Sequence, residues 1–199
     1  MEFSEVVRKR RMVRHFTNEP IAPEVMARIL DLARRAPSAG FTQGQSFVVV
    51  TQPETRRAIA RICDEQEYVA SGFDPFVSEA PALVVPCVSE AAYHRRYQEA
   101  DKVDEQGQEG EWPVPYWFMD IGCSVMALLL AVVNEGLAAG FVGAPTIERV
   151  AELRRLLGIP AEVTPVGVVP IGHPALDQRS PSLKRGRKPV SDFAHYERW

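Results

Sequence analysis

The residues best suited to chemistry are two groups of basic side chains near the ends of the chain. The first group lies in Arg8–Arg14 and places five cations in seven residues. The second group lies in Lys184–Lys188. Planar guanidinium groups bind a phosphate dianion through paired hydrogen bonds, so both groups are candidate phosphate ligands. Taken alone, each group is explained more simply as solvated charge, since cations are favoured at the end of a helix in any case.

Four arginines stand out within these two groups. Arg10 and Arg14 are four residues apart, which places them on one face if the first helix continues that far. Arg185 and Arg187 are two residues apart, which places them on one side of an extended segment. Gly186 between them allows the backbone to approach a ligand closely. The spacing thus singles out these four side chains as candidate phosphate ligands, and by itself it does not decide against solvated charge.

A turn of small residues, Pro37–Gln43, follows a predicted helix and precedes a predicted strand. Small side chains allow a flat ring system to lie against the backbone. Ser38 and Gln43 provide hydrogen-bond donors at this place. The other interpretation is an ordinary loop after the end of a helix. The turn by itself does not decide between the two.

A polar segment, residues 98–111, leads into the aromatic and proline-rich segment Trp112–Phe118. A loop of this length in a compact domain is usually either functional or disordered. A charged loop that runs into a stiff aromatic segment is what a lid over a flat substrate requires. We therefore predict a lid over residues 98–118, with Tyr116 or Trp117 in contact with the substrate. The alternative, with equal weight, is that these rings pack in a subunit interface or under the central helix.

Composition and missing motifs make several classes of protein poor candidates. The formal net charge of -3 argues against a nucleic-acid partner. The three cysteines and four histidines show neither a disulfide framework nor metal-ligand spacing, so no metal site is predicted. The sequence has no dinucleotide-binding glycine motif, no P-loop and no nucleophile elbow. Hydrolases, kinases and zinc enzymes are therefore not leading hypotheses, and a nucleic-acid-binding basic arm is the most distant one.

The sequence gives no sign of export or of a membrane. The N-terminus, Met1–Glu5, lacks the basic and apolar regions of a signal peptide. The most apolar stretch, Ile121–Val133, is shorter than the roughly 20 residues that a membrane-spanning helix needs. The odd number of cysteines fits a reducing compartment. We therefore expect a cytoplasmic protein without a membrane partner.

The predicted elements favour an α+β fold. Helices are predicted over residues 2–11, 23–36, 53–62, 116–137 and 146–157, and strands over residues 47–50, 82–85 and 163–172. Pro86 is expected to make the end of the second strand irregular or an edge. This irregular order favours a small mixed β-sheet flanked by helices over a doubly wound parallel sheet. The central helix is expected to be buried nearly all round, and the chain from Pro174 onward to form an extended arm of a single domain, residues 1–199.

Four segments together resemble the nitroreductase family of FMN enzymes. Arg10–Phe16 resembles the family's RRSxRxF opening, and Pro37–Gln43 resembles its PSAGNxQPW turn. Gly136–Gly143, followed by Leu157–Pro160, resembles its GLGxxxxG segment. Arg185–Pro189 resembles its terminal RxRxP signature. The four segments occur in the family's order over nearly the whole chain, which is more specific than any one of them.

The resemblance implies a homodimer with two FMN molecules at the interface, each in contact with both subunits. The phosphate and ribityl groups would be held by Arg10, Arg11, Met12 and Arg14, with Arg185 and Arg187 closing on the phosphate. The turn of the other subunit would contribute Pro37, Ser38, Ala39 and Gln43. The backbone at Val142 and Gly143 would lie near the flavin ring.

The activity that the resemblance implies is a ping-pong oxidoreduction. NADH or NADPH reduces FMN by hydride transfer and leaves, and a nitroaromatic, a quinone or a similar flat acceptor then takes the electrons. A specialised flavin enzyme on the same fold, such as a reductive dehalogenase or a dehydrogenase, is the first alternative. A non-catalytic flavin-binding protein is the second.

The chain departs from the family pattern at three places. Met12 stands where the family has serine, and Phe41 stands where the turn has asparagine. Gly44 and Gln45 replace a Pro-Trp pair. These changes alter how the turn meets the flavin or the substrate. Phe41 is therefore a candidate substrate contact together with Tyr116 and Trp117.

Overall fold

The computed structural model describes residues 1–144, 146–176 and 181–199, and it has the predicted α+β architecture. The helices are α1 (Phe3–Lys9), α2 (Pro23–Ala33), α3 (Pro53–Ile62), α4 (Glu65–Ala70), α5 (Glu90–Tyr97), α6 (Tyr116–Asn134) and α7 (Ile147–Leu157). The strands are β1 (Gln45–Val50), β2 (Ala82–Val88), β3 (Ala138–Ala139), β4 (Thr164–Pro165) and β5 (Val169–Gly172).

Several helix boundaries follow from local chemistry as the sequence predicts. Pro23 and Pro53 are the first residues of α2 and α3. At this position a backbone N–H has no partner within the helix, so the missing N–H of proline costs no hydrogen bond. The Thr146 hydroxyl accepts a hydrogen bond from the Arg149 N–H at 3.3 Å and so caps α7. Gly158 ends the same helix in a left-handed conformation, with a φ of 63°.

The strands form one sheet in the order β1-β2-β5-β3, with β4 paired to the remaining length of β2. All the ladders between these strands are antiparallel. A parallel component comes from an isolated bridge between Met12 and Ala139 beside β3. The sheet is therefore small, and the segment that follows α1 supplies the parallel pairing that makes it mixed.

The prediction for Pro86 is wrong, because β2 continues through it to Val88 and is buried along its whole length. Pro86 lies opposite Phe47 of β1. On the other side of β2, β5 pairs with residues 82–84 and β4 with residues 87 and 88. The proline thus lies between those two partners, a position at which a central strand tolerates the missing N–H.

Helices cover both faces of the sheet. Alternate residues of β2 point to opposite sides, so Leu83 and Val85 belong to one core cluster and Ala82 and Val84 to another. The first cluster includes residues of α3 and α7, and the second includes residues of α2 and α6. A third, smaller cluster at the end of the sheet contains Tyr93 and Trp117.

Helix α6 is the long central helix, but it is buried on one side only. Its core face lies against the sheet and α2, whereas a stripe that includes Phe118, Met119 and Met126 is exposed, Met119 to 60%. The prediction of burial nearly all round is therefore wrong for one chain alone. Among the described residues α6 is also the one helix long and apolar enough, by length and composition, to cross a membrane, and core helices pass the same test.

Other elements differ from the sequence prediction in extent. The predicted strand over residues 163–172 divides into β4 and β5, and the helix predicted to residue 137 ends at Asn134. Helices α4 and α5 and strand β3 were not predicted. The arm from Pro174 contains two short 3-10 turns, Pro181–Arg185 and Val190–Asp192, and residues 177–180 lie outside the described part.

Gly140 allows the segment after α1 to pack closely against the chain that follows β3. A β-carbon built on Gly140 would lie 2.8 Å from the Val13 carbonyl oxygen. We expect Gly140→Ala to lower the free energy of unfolding by about 2 kcal/mol, as overpacking against backbone does. Urea unfolding measures this change.

Gly110→Ala is the matched control, because a β-carbon there meets nothing within 4 Å. Its unfolding free energy should stay within about 0.5 kcal/mol of the parent protein. Equal stability of the two variants would contradict close packing at Gly140.

Candidate functional site

The first group of arginines lies on a segment that is held at the edge of the sheet. Met12 forms a parallel bridge with Ala139, and the Val13 N–H donates to the Ala139 carbonyl oxygen at 3.0 Å. Val13 is buried, while Met12 on the other side of the segment is exposed. The alternation of an extended chain therefore sends Val13 into the core and leaves its neighbours at the surface.

The predicted flavin-ring segment continues along the same edge. Val142 pairs with Val168 through two backbone hydrogen bonds, of 2.9 Å and 2.7 Å. Gly143 follows, and a β-carbon built on it meets nothing within 4 Å. The structure thus brings the segment of Arg10 and Arg14 together with Val142 and Gly143, which are far apart in the sequence.

The side chains of the first group differ in their surroundings. Arg10 ends α1, where its N–H donates to the Val6 carbonyl oxygen at 2.9 Å, and its side chain is half-buried. Arg11 is exposed. The guanidinium carbon of Arg14 lies 5.9 Å from the centre of the Phe76 ring, a cation–π distance. This contact holds the planar group of Arg14 close to the sheet edge.

The second group of arginines is not brought to the first within the described part of one chain. Arg185 ends a 3-10 turn, Gly186 follows with a φ of 69°, and Arg187 is exposed like Arg185. Neither arginine takes part in an ion pair among the described residues. The start of the arm, however, adjoins the first segment, since the Ala175 N–H donates to the His15 carbonyl oxygen at 3.1 Å.

The turn from Pro37 to Gln43 is a tightly bonded structure with an unusual backbone. The Ser38 hydroxyl accepts from the Gln43 N–H at 2.9 Å. Gly40, Phe41 and Gln43 all have left-handed conformations, with φ values of 61°, 56° and 53°. Such a conformation is strained for Phe41 and Gln43, so their surroundings must hold them in it.

A buried carboxylate holds this turn in place. Asp120 of α6 is 9% exposed, and its Oδ2 accepts hydrogen bonds from the Ala39 N–H and the Tyr93 hydroxyl, both at 2.8 Å. Burial, and then the hydrogen bond to Asp120, raise the pKa of Tyr93. Arg96 of α5 adds a hydrogen bond of 3.0 Å to the Gly40 carbonyl oxygen. Helices α5 and α6 thus fix the backbone of the turn from two sides.

Sequence reasoning missed these supporting residues. The one available signal is that Asp120 is the only charged residue in the apolar sequence of α6. A charge in a buried helix has a partner or a function. Nothing in the sequence connects Tyr93 or Arg96 to the turn, because α5 itself was not predicted.

The three predicted substrate contacts have different positions. Phe41 projects from the turn and is 76% exposed. Tyr116, the first residue of α6, is half-buried. Trp117 is 8% exposed and packs against Tyr93 and Trp112. The burial of Trp117 argues for a supporting role, and it leaves Tyr116 as the candidate for direct contact.

The predicted lid, residues 98–118, is attached to α5 through Asp101 and Glu109. His94 Nδ1 lies 2.7 Å from Glu109 Oε1, and Trp112 Nε1 donates to the same oxygen. Arg96 pairs with both oxygens of Asp101, each at 2.7 Å. The loop is therefore held against α5 beside the turn, and it ends where Tyr116 begins α6.

Comparison with known proteins defines the class of this protein. The family model described as the nitroreductase family matches residues 7–173. The chain therefore belongs to the nitroreductase family, a family of oxidoreductases, and the resemblance inferred from the sequence is confirmed.

The proteins similar to this chain include general oxidoreductases and a deiodinase with a specialised substrate. A protein of Methanothermobacter thermautotrophicus with the provisional name NADH dehydrogenase/NAD(P)H nitroreductase is 28% identical over all of this chain and 88% of its own length. Iodotyrosine deiodinase 1 of Homo sapiens is 29% identical over 96% of this chain and 67% of its own. The structure of the NADPH:FMN oxidoreductase from Vibrio harveyi in complex with NAD+ matches with a TM-score of 0.74 and 24% identity, over 99% of this chain and 77% of its own.

The attachment of the lid should depend on pH. The hydrogen bond to Glu109 raises the pKa of His94, and the hydrogen bond from Trp112 lowers the pKa of Glu109. A raised histidine pKa gives stability that is present below the ordinary value and is lost as the pH rises through the raised value. We expect tryptophan fluorescence to report a loosened loop as the pH rises from below about 6.5, the ordinary pKa of histidine, through the raised pKa of His94.

His94→Gln should remove this transition, because glutamine does not titrate. His173→Gln is the control: His173 lies 3.7 Å from Glu19, away from the lid, so the transition should remain. An unchanged profile in His94→Gln would show that another group controls the fluorescence.

Proposed function

We propose that this protein is an FMN-dependent oxidoreductase that uses NADH or NADPH to reduce nitroaromatics, quinones or similar flat acceptors. The observation that carries the proposal is the packing of the arginine segment against the residues that lead to Val142 and Gly143, in a chain of the nitroreductase family. Cations and an open stretch of backbone then lie on one sheet edge, as a ligand with a phosphate at one end and a flat ring at the other requires.

The residues present fit FMN in chemical type. Arg10 and Arg14 provide planar donors for a phosphate dianion, and Arg185 and Arg187 provide two more from the arm. Gly143 leaves open space beside the backbone, where a ring can approach. Bound FMN would supply a carrier that takes two electrons from the nicotinamide and passes them to the acceptor. The protein's part is to hold, orient and cover the reactants.

We also propose that the active form is a homodimer. The exposed stripe of α6 contains Phe118, Met119 and Met126, so it is more apolar than the solvent-facing side of a helix usually is. The arm exposes further large apolar side chains, among them Phe193, Tyr196 and Trp199. A second copy of the chain would cover both surfaces, and it would bring the turn of one subunit to the arginines of the other. The single domain and the cytoplasmic location stay predictions.

A second candidate function is reductive dehalogenation of an aromatic substrate. The similarity to iodotyrosine deiodinase 1 over 96% of this chain favours it. The ordered lid beside the turn also suits an enzyme with one dedicated substrate. In that reaction an aryl iodide takes up two electrons and one proton. Its carbon–iodine bond breaks, a carbon–hydrogen bond forms, and iodide leaves.

The arginine account makes a sharp prediction for ligand binding. Arg10→Ala, Arg14→Ala and Arg187→Ala should each weaken FMN binding about 10- to 100-fold, as the loss of a charge-assisted hydrogen bond does. Riboflavin lacks the phosphate, so its affinity should be the same in all three variants and the parent protein. Fluorescence titration of both flavins measures the contrast.

Arg8→Ala is the control for general loss of positive charge, since Arg8 is exposed on α1 one turn away from the bridge. It should change neither affinity by more than about twofold. Equal weakening of FMN and riboflavin in the other variants would place these arginines away from the phosphate.

Turnover separates the two candidate functions. With NADH or NADPH, the FMN-loaded protein should reduce a quinone to the hydroquinone by transfer of one hydride and one proton. The loss of nicotinamide absorbance measures this reaction. A deiodinase would instead release iodide from a 3-iodotyrosine substrate and be slow with quinones. Flavin binding without either turnover would contradict both functions and leave a non-catalytic flavin protein.

A further inference from the structure

A small cavity lined by aromatic rings opens between the turn, α5 and the lid. Its volume is about 250 Å³. We call it the aromatic slot, and its lining residues are Ala39, Tyr97, Gly110, Glu111, Trp112 and Tyr116. The slot is thus built almost wholly from residues that the sequence assigns to the turn and the lid.

The rings of the slot are held in place by the core. The Tyr97 and Trp112 ring centres are 4.5 Å apart, and those of Trp112 and Tyr116 are 6.0 Å apart. Behind them, Trp112 packs on the buried rings of Tyr93 and Trp117. The indole N–H of Trp112 also donates to Glu109, so the ring cannot turn without losing that bond. The slot is therefore preformed, which lowers the entropy cost of binding a ring.

The charges around the slot favour a cation. Glu111 is exposed at the slot and takes part in no ion pair among the described residues. The nearby Glu109 differs, since His94 and Trp112 already occupy its carboxylate. One ring of the slot already meets a cation, because the Lys102 Nζ lies 5.7 Å from the centre of the Tyr97 ring, and the charge of Lys102 is itself paired with Asp101 at 3.9 Å. Aromatic faces attract cations electrostatically, and a free carboxylate at the rim adds to this attraction.

We infer that the aromatic slot is the acceptor subsite and that it selects flat aromatic acceptors carrying a positive charge over neutral or anionic acceptors of the same shape. This rests on the proposed function, because Ala39 belongs both to the slot and to the turn expected to border the flavin. In the homodimer the slot of one subunit would face the flavin held by the arginines of the other. Tyr97, Trp112 and Tyr116 would contact the ring of the acceptor, and Glu111 its charge.

Two nitroaromatic probes of equal shape test the inference. One is (4-nitrobenzyl)trimethylammonium, and the other is its neutral carbon isostere, 4-neopentylnitrobenzene. Quenching of tryptophan fluorescence reports their binding without nicotinamide, with or without FMN. We expect the cationic probe to bind at least about fivefold more tightly, in line with a cation–π contact and an exposed ion pair.

Single-residue variants locate the source of this preference. Glu111→Gln should reduce the ratio of the two affinities about threefold and leave the affinity of the neutral probe unchanged. Glu105→Gln removes the same charge from an exposed position of the same loop that does not line the slot, so its ratio should equal that of the parent. Equal binding of the two probes, or equal effects of the two variants, would overturn the inference.

Steady-state reduction by the FMN-loaded protein distinguishes an acceptor subsite from a mere cation site. Each probe takes two electrons and two protons and gives the nitroso compound and water. The ratio of kcat/KM values should follow the ratio of affinities and fall with Glu111→Gln. A binding preference without this change in kcat/KM would overturn the assignment as acceptor subsite. Failure to bind FMN while the binding preference persists would overturn the proposed function but support the selectivity of the slot.

Discussion

The bridge between Met12 and Ala139 fixes the position of the basic segment on which our proposal depends. It fixes the segment after α1 on the edge of the sheet, with Val13 in the core and the arginines on either side of it at the surface. The same edge continues through Gly140, where there is room only for hydrogen, to Val142 and Gly143. The burial of Val6 in α1 and the bridge between Phe16 and Pro174 hold the two ends of the same segment.

The second fixed point is the carboxylate of Asp120. It holds the backbone of the turn through Ala39 and binds the Tyr93 hydroxyl in the core. The left-handed Phe41 and Gln43 are stable only while such contacts persist. The site thus has two rigid halves, one on the sheet edge and one on α5 and α6. In our proposal they meet across a dimer interface, and the lid completes the second half.

Local signals in the sequence predicted a large part of the fold. Prolines at Pro23 and Pro53 and the pair Thr146 and Gly158 mark helix ends through chemistry within a few residues. What failed depended on distant partners. Pro86 is tolerated because of how β4 and β5 divide their pairing with β2. Helix α5 is mostly polar, and it is anchored in the core by its one buried residue, Tyr93. The family resemblance pointed to the arginines and the turn, whereas the lone charge of Asp120 in α6 was the one signal for the residue that supports the turn.

The central claim is that two copies of this chain hold FMN between them. Native mass spectrometry of the protein after incubation with FMN tests it most directly, because it reports subunit number and bound flavin in the same ion. The account predicts a dimer that carries two FMN molecules, with flavin lost when the dimer dissociates. A monomer that retains FMN, or a dimer that takes up none, would contradict it.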